Sequence, residues 1–326
     1  MLVVSGRDLK AWLDMKTAVS IAEAFFKDYS PEKYRAPQRT VIPLPERDAV
    51  WLNMPALSLP HRGYVIKVIN EYRQNPARYG LETANGVILY FDVETGVLKG
   101  LVDAVYLTAL RTGAIGGVGA NYMARSGVKA VGIVGSGRVA WALLEAMKAV
   151  RDIESVKVFS PNRVSREKMA ERAERELGLE AVAVNSPRDA VLKADAVIAA
   201  TNSAEPVFSG EWLDSNVHVT SMGALPTRRE LDLTTFQRAK IIAADLREAV
   251  LKEAGDLIAA VKEGMIETSR VTELHEIVKT GRMVRDHGEM ITLLKSVGFA
   301  AIDLFFTVEV FSRAEKQGVG RWVEFQ

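Results

Sequence analysis

Downstream of Gly127 the apolar positions fall into short β-branched runs separated by stretches with helical spacing. The runs are "VKAVGIVG", "SVKVFS", "EAVAV" and "DAVIAAT"; between them "RVAWALLEAMKAV", "VSREKMAERAEREL" and "SPRDAVLKA" repeat apolar residues at helical intervals. Strands alternating with helices build a parallel sheet covered on both faces. Two further runs, "NVHVTSMG" and "AKIIAAD", bring the expected strands to about six, the number of a doubly wound, Rossmann-type sheet. The preceding segment reads differently. Between Arg39 and Phe91 it carries prolines at 43, 45, 55, 60 and 76 and short apolar runs such as "GYVIKVI" and "GVILYFD", which predicts a separate α+β unit. The first thirty residues read as a short strand and an amphipathic helix rather than a signal peptide. The last helix, in "KSVGFAAIDLFFTVEVFSRAEKQG", is apolar on more than one face, which suits packing on the first domain or on a second subunit. The expected fold class is therefore α/β: a Rossmann domain over 121–299 and a discontinuous α+β domain made of 1–120 and 300–326.

At 326 residues and 48% hydrophobic composition, the chain can bury at least one full core. Its 42 basic and 41 acidic side chains nearly cancel, so no overall field draws it to nucleic acid or to an anionic membrane. No run is long enough to span a bilayer, and the cytoplasm is the default expectation. Without cysteine there is no disulfide, thiolate nucleophile or zinc–thiolate site. His61, His218, His275 and His287 show no metal-ligand spacing, and no metal is expected.

One stretch carries a recognisable mechanism. Gly135-Ser136-Gly137-Arg138-Val139-Ala140 follows an expected strand and opens an expected helix, the context in which a glycine fingerprint binds a dinucleotide. Gly135 permits the tight turn, and the bare Gly137 lets backbone N–H groups approach a pyrophosphate at the positive end of the helix. A purely structural turn is the alternative. At the end of the next strand an acid would favour NAD(H), but Ser160 stands there, followed by Asn162, Arg163 and Arg166. Hydroxyl, amide and guanidinium groups can serve a 2′-phosphate, so NADP(H) is favoured over NAD(H). The competing reading makes Arg163 and Arg166 solvated first-turn residues.

Three cations stand among apolar or small neighbours: Arg39 in "QRTVIPLP", Lys67 in "GYVIKVINEY" and Arg111 in "YLTALRTGAIGG". A lysine between Ile66 and Val68 either points outward or is buried with a partner. Arg111 could clamp a carboxylate or pyrophosphate. Taken singly, none separates a functional from a structural role.

"YLTALRTGA", the glycine bend, "TNSAEPVF", "SMGALPTRRELD" and "KSVGFAAIDL" occur in the order seen in the ornithine cyclodeaminase/mu-crystallin family, which the chain resembles over nearly its whole length. That family also contains archaeal alanine dehydrogenases and ketimine reductases. The resemblance implies that Arg39 and Lys67 meet the substrate's carboxylate or amino end, and that Arg111 and Thr112 lie where substrate and cofactor meet. It places Thr83, Thr201, Asn202, Ser203, Ser221, Met222, Gly223, Ala224, Lys295, Ser296 and Val297 along the cofactor or substrate pocket. It further implies a homodimer formed through the N-terminal domain. Two departures matter: Gly223-Ala224-Leu225-Pro226 lacks the aspartate of the cyclodeaminases' Gly-Asp-x-Pro, and "WLNMP" offers Leu52 and Asn53 where they carry a glutamate before Met-Pro. Cyclisation must move several protons, whereas simple hydride transfer needs an anchored carboxylate and one proton donor, for which Lys67 is the candidate.

The expected activity is thus an NAD(P)-dependent oxidoreductase acting on a small amino, imino or oxo acid. Reduction of an imine or ketimine carboxylate comes first, and reductive amination of the alanine dehydrogenase type second. Ornithine cyclodeaminase survives as an alternative if Glu71 or Asp303 replaces the missing acids in space. A non-catalytic binding protein of the crystallin type is a third reading.

Overall fold

The computed structural model describes residues 1–284 and 289–324, so His287 lies outside the described residues. The chain divides into two compact units, Met1–Arg111 with Phe299–Gln326, and Thr112–Gly298.

In the first unit, β1 (Leu2–Val4) leads into α1 (Gly6–Trp12) and α2 (Met15–Asp28). Each helix starts where a side chain satisfies its free N–H groups. Ser5 and Asp8 cap α1 reciprocally, and the Asp14 carboxylate accepts from the Thr17 N–H at 2.8 Å. Ala18, Ile21, Ala22, Phe25 and Phe26 form the buried stripe of α2. The proline-marked segment folds into strands longer than its short apolar runs suggest: β2 (Thr40–Leu44), β3 (Ala49–Ser58), β4 (Gly63–Tyr72), then the short helix α3 (Asn75–Tyr79), β5 (Ala84–Asp92) and β6 (Leu98–Asp103). Pro43 falls on β2, the edge strand, where proline is tolerated. Along β4 burial alternates, and Val65, Lys67 and Ile69 share the inward face. Helix α4 (Ala104–Met123) begins in this unit and ends in the next.

The second unit holds β7 (Ala130–Val134), α5 (Arg138–Val150), β8 (Ser155–Phe159), α6 (Arg163–Leu177), β9 (Glu180–Ala183), α7 (Pro187–Val191), β10 (Ala196–Ala199) and β11 (His218–Ser221). There follow α8 (Leu233–Arg238), β12 (Ala239–Ala244), α9 (Arg247–Glu253), α10 (Gly255–Lys262), β13 (Val271–Glu273), α11 (Leu274–Lys279) and β14 (Ile291–Lys295). The eight strands run parallel in the order β13-β12-β14-β11-β10-β7-β8-β9. The chain winds outward from β7 to β9 and returns to β10 on the other side of β7, which makes the β7/β10 boundary the switch point of a doubly wound sheet. The expected number of about six strands is corrected to eight: β13 and β14 were not read from the pattern. The reason is burial. All five residues of β14 are buried, so "ITLLK" has no polar face to alternate with.

Helix α12 (Ala300–Gln317) then returns the chain to the first unit, and β15 (Arg321–Trp322) pairs antiparallel with β1. That sheet has the order β15-β1-β6-β5-β4-β3-β2. Helix α12 packs on β3 and β4 and buries Ile302, Asp303, Leu304, Phe306, Val310 and Phe311, so its wide apolar surface serves the unit's own sheet.

Candidate active site

In the first unit, alternation along β4 sends Lys67 to the inward face, opposite Met54 of β3 and Ile88 of β5. An ammonium there needs a partner, and α12 supplies it from its first turn. Lys67 Nζ donates to Asp303 Oδ2 at 2.6 Å, and Arg111 Nε of α4 donates to Asp303 Oδ1 at 3.0 Å. Lys67, Arg111 and Asp303 are 1%, 4% and 0% exposed. Burial, outweighing the attraction of Asp303 and helped by Arg111 and Arg39, lowers the Lys67 pKa from 10.5 to about 7. Burial alone would raise the Asp303 carboxyl, but Arg111 and Lys67 hold it below the usual range. Arg39, half-buried just ahead of β2, acts on Lys67 through charge. Thr83 is not brought to this cluster; it precedes β5 at the far end of the β4–β5 hairpin, where its carbonyl accepts from Tyr72 N–H at 2.8 Å.

In the second unit, β7 ends in Gly135, whose φ of 125° favours glycine and whose added Cβ would lie 2.3 Å from the Ala200 carbonyl oxygen. Ser136 is half-buried. At Gly137, the N-cap of α5, an added Cβ would meet nothing within 4 Å, and no side chain caps the helix. The fold therefore requires glycine at 135, while at 137 it leaves space beside uncapped N–H groups. That is a cradle suited to a pyrophosphate. Arg138 is exposed, and Val139 packs partly into the core beneath α5. At the end of β8, Ser160 is buried, the Asn162 side chain caps α6 by accepting from Ser165 N–H at 3.0 Å, and Arg163 pairs with Glu167 at 2.7 Å on the surface. Arg166 folds back onto the Ser160 carbonyl at 3.0 Å and Asn185 at 2.8 Å.

Farther along the same edge, the sequence-picked residues at the ends of β10, β11 and β14 converge on acids that sequence reasoning missed. Glu230 Oε2 accepts from the Ser221 hydroxyl at 2.7 Å, Met222 N–H at 3.0 Å and Gly223 N–H at 2.6 Å, and Oε1 accepts from Thr201 N–H. Lys295 donates to Ser221 Oγ at 2.7 Å and to Asp256 Oδ2 at 2.8 Å, with Glu230 4.0 Å away. The Ser296 hydroxyl and the Gly298 N–H both donate to Asp245 Oδ2 at 2.7 Å, and Val297 N–H reaches Asp245 Oδ1 at 3.4 Å. Burial raises Glu230 and Asp245 above the usual carboxyl range, against the pull of these donors. The Ser203 hydroxyl is turned to the Glu205 carbonyl at 2.6 Å, Asn202 is exposed, and Ala224 is half-buried beside Leu225, whose φ of 88° is strained. Thr112, 8% exposed, follows Arg111 on α4. One signal was available: Asp245 closes "AKIIAAD", an acid at the carboxyl end of a buried strand, where such sheets place ligands or their supports.

The histidines take structural places. His61 pairs with Asp28 at 2.9 Å and His275 with Glu273 at 3.0 Å. His218 bridges Thr292 and Thr220 at 2.9 and 3.0 Å. Among the described residues no group of three or more His, Asp and Glu could hold a metal ion, and no helix is long and apolar enough to cross a membrane.

A doubly wound parallel sheet with this glycine cradle at its switch point defines a dinucleotide-binding α/β protein. The chain belongs to the ornithine cyclodeaminase/mu-crystallin family, whose model matches residues 2–318. It is 32% identical to a Delta(1)-pyrroline-2-carboxylate reductase of Bacillus cereus over 100% of both chains. A structure of the Thermococcus litoralis Delta(1)-pyrroline-2-carboxylate reductase in complex with NADH and L-proline superposes with a TM-score of 0.94 at 35% identity, covering 99% of this chain and 100% of that one. An archaeal alanine dehydrogenase dimer with bound NAD gives 0.90 at 28% identity, covering 100% and 99%.

Proposed function

We propose that the protein is an NAD(P)H-dependent oxidoreductase that reduces a small α-imino acid, with a cyclic imine carboxylate of the pyrroline-2-carboxylate type as its preferred substrate. The buried Lys67–Asp303–Arg111 cluster carries this reading. Two cations face one carboxylate, so an anionic substrate carboxylate would complete the charge balance, and the Arg111 fork is suited to hold it once its Nε is spent on Asp303. Lys67, with a pKa of about 7, can give its proton to the imine nitrogen at neutral pH. The substrate carboxylate would raise that pKa, loading the proton when it is needed. The Gly135–Gly137 turn would hold the pyrophosphate of a reduced nicotinamide dinucleotide, which when bound would supply the hydride. The product is the corresponding amino acid.

The cyclodeaminase alternative finds no support in Asp303, because both of its oxygens are committed to cations. The relatives' NADH and NAD complexes support a nicotinamide dinucleotide. The absence of an acid at Ser160, with Arg163 behind it, favours NADPH within that class. As for assembly, a homodimer is supported by the dimeric archaeal relative and by Val41, Ile42 and Trp51, which are 43%, 51% and 37% exposed on β2 and β3.

The test is turnover of reduced cofactor with imino acids, with pyruvate plus ammonium, and with ornithine. Lys67→Met should lower kcat for the imino acid by ~10² to 10⁴ while cofactor binding survives. Arg39→Met should act mainly on KM. A folded Lys67→Met protein that reduces the imino acid at near-normal kcat would end the assignment.

A further inference from the structure

The structure assigns Glu230 as a positioning residue that shapes the nicotinamide end of the dinucleotide site, by tying the loops after β10 and β11 to one buried carboxylate. This rests on the dinucleotide reading above. In a doubly wound sheet the cofactor crosses the switch point, with its adenosine half beyond the β7–β8 side and its nicotinamide half beyond the β10–β11 side. Glu230 lies on the latter side. Its oxygens take the N–H groups of Thr201, Met222 and Gly223 and the hydroxyl of Ser221. These four donors come from the carboxyl end of β11 and the loops after β10 and β11, and the carboxylate ties them together.

The surroundings show why a two-oxygen acceptor is needed. Glu230 is 0% exposed and four donors aim at it, more than an amide could accept, since its NH₂ would face at least one N–H. Lys295, 0% exposed, stands 4.0 Å away and offsets the charge, itself held by Asp256 at 2.8 Å. Asp256 also accepts from the backbone N–H of Glu230 and Leu231 at 3.2 and 3.3 Å, so the acid is fixed at its main chain as well as at its carboxylate. The loop it holds contains Leu225 at a φ of 88°, a conformation that persists only where the surroundings enforce it. The glycine cradle belongs to the β7–α5 turn and makes none of these bonds. Altering Glu230 should therefore disturb one end of the cofactor and spare the other.

The experiment is calorimetric titration of wild-type, Glu230→Gln and Glu230→Asp proteins with the reduced dinucleotide and with ADP-ribose, which lacks nicotinamide. Circular dichroism serves as the check on folding. In Glu230→Gln the dinucleotide Kd should rise at least about tenfold while the ADP-ribose Kd stays within about twofold, and Glu230→Asp should show the same split in smaller measure. Equal weakening of both ligands would mean a merely structural role and would overturn the assignment, as would unchanged affinity for both. Failure of both variants to fold would also overturn it. If the wild-type protein itself bound neither ligand, the dinucleotide reading would fail first, an outcome distinct from any of these.

Discussion

Replacing Asp303 by Asn removes the anion between Lys67 and Arg111 while keeping the side chain's shape. At 2.6 Å from Asp303 Oδ2, the Lys67 ammonium gains ~6 kcal/mol from a unit charge if the effective dielectric constant is about 20. At 1.36 kcal/mol per pKa unit that is ~5 units, an upper bound. Carboxylate neighbours more commonly move a pKa by about 1 to 3 units. Asp303 raises the Lys67 pKa, so its loss lowers it further below the value of about 7. The sign follows: with the protonated lysine as the proposed donor, the reductive rate should fall as pH rises through its pKa, and in Asp303→Asn that alkaline limb should move to lower pH by about 1 to 3 units. With a shift of about 2 units, the protonated fraction at pH 7 drops from roughly one half to roughly one hundredth, and kcat/KM at that pH drops about fiftyfold. Breaking a buried ion pair ordinarily costs ~3–5 kcal/mol, because a charge is left without a partner. Lys67 escapes that cost by shedding its proton, so the remaining loss falls on Arg111, which cannot. The assay is kcat/KM for the imino acid across the pH range, since this ratio reports the free enzyme's groups, with the dinucleotide Kd as the control for an intact second unit. A limb that stays in place, or moves to higher pH, refutes the reasoning.

The two cradle glycines should behave differently. Gly135→Ala forces a Cβ to 2.3 Å from the Ala200 carbonyl at a φ of 125° and should lower the melting temperature, whereas Gly137→Ala, with open space around the new Cβ, should melt normally but bind dinucleotide more weakly. Comparable melting losses in both would remove the cradle assignment. NADPH should bind more tightly than NADH, and Ser160→Asp should reverse the order by repelling the 2′-phosphate; equal titrations before and after the change would discard the preference. Light scattering should give twice the chain mass, and Ile42→Glu should reduce it if β2 lies in the interface; a wild-type monomer would refute the dimer.

What the sequence disclosed depends on whether the signal was local. The glycine bend was legible because its strand, turn and helix are contiguous in sequence. The alternation that placed Lys67 among apolar residues was legible for the same reason, and it posed a definite question: a buried lysine needs an anion. The answer was not legible. Asp303 is 236 residues away in sequence, in the first turn of a helix whose pattern speaks only of apolar packing. In the sequence it reads as a stand-in for the missing cyclodeaminase acids. The fold instead gives it the opposite task, holding two cations with both oxygens. Glu230 illustrates the same limit: within "PTRRELD" it reads as one more surface charge, and only the convergence of β10, β11 and β14 turns it inward. Strand β14 was lost to complete burial, which erases the alternation by which strands announce themselves. Local pattern thus identifies the groups that must be compensated, and tertiary structure identifies what compensates them. The tuning of Lys67 belongs to the second kind of information, because its pKa is set jointly by burial, by an acid on α12, by an arginine on α4 and by another ahead of β2.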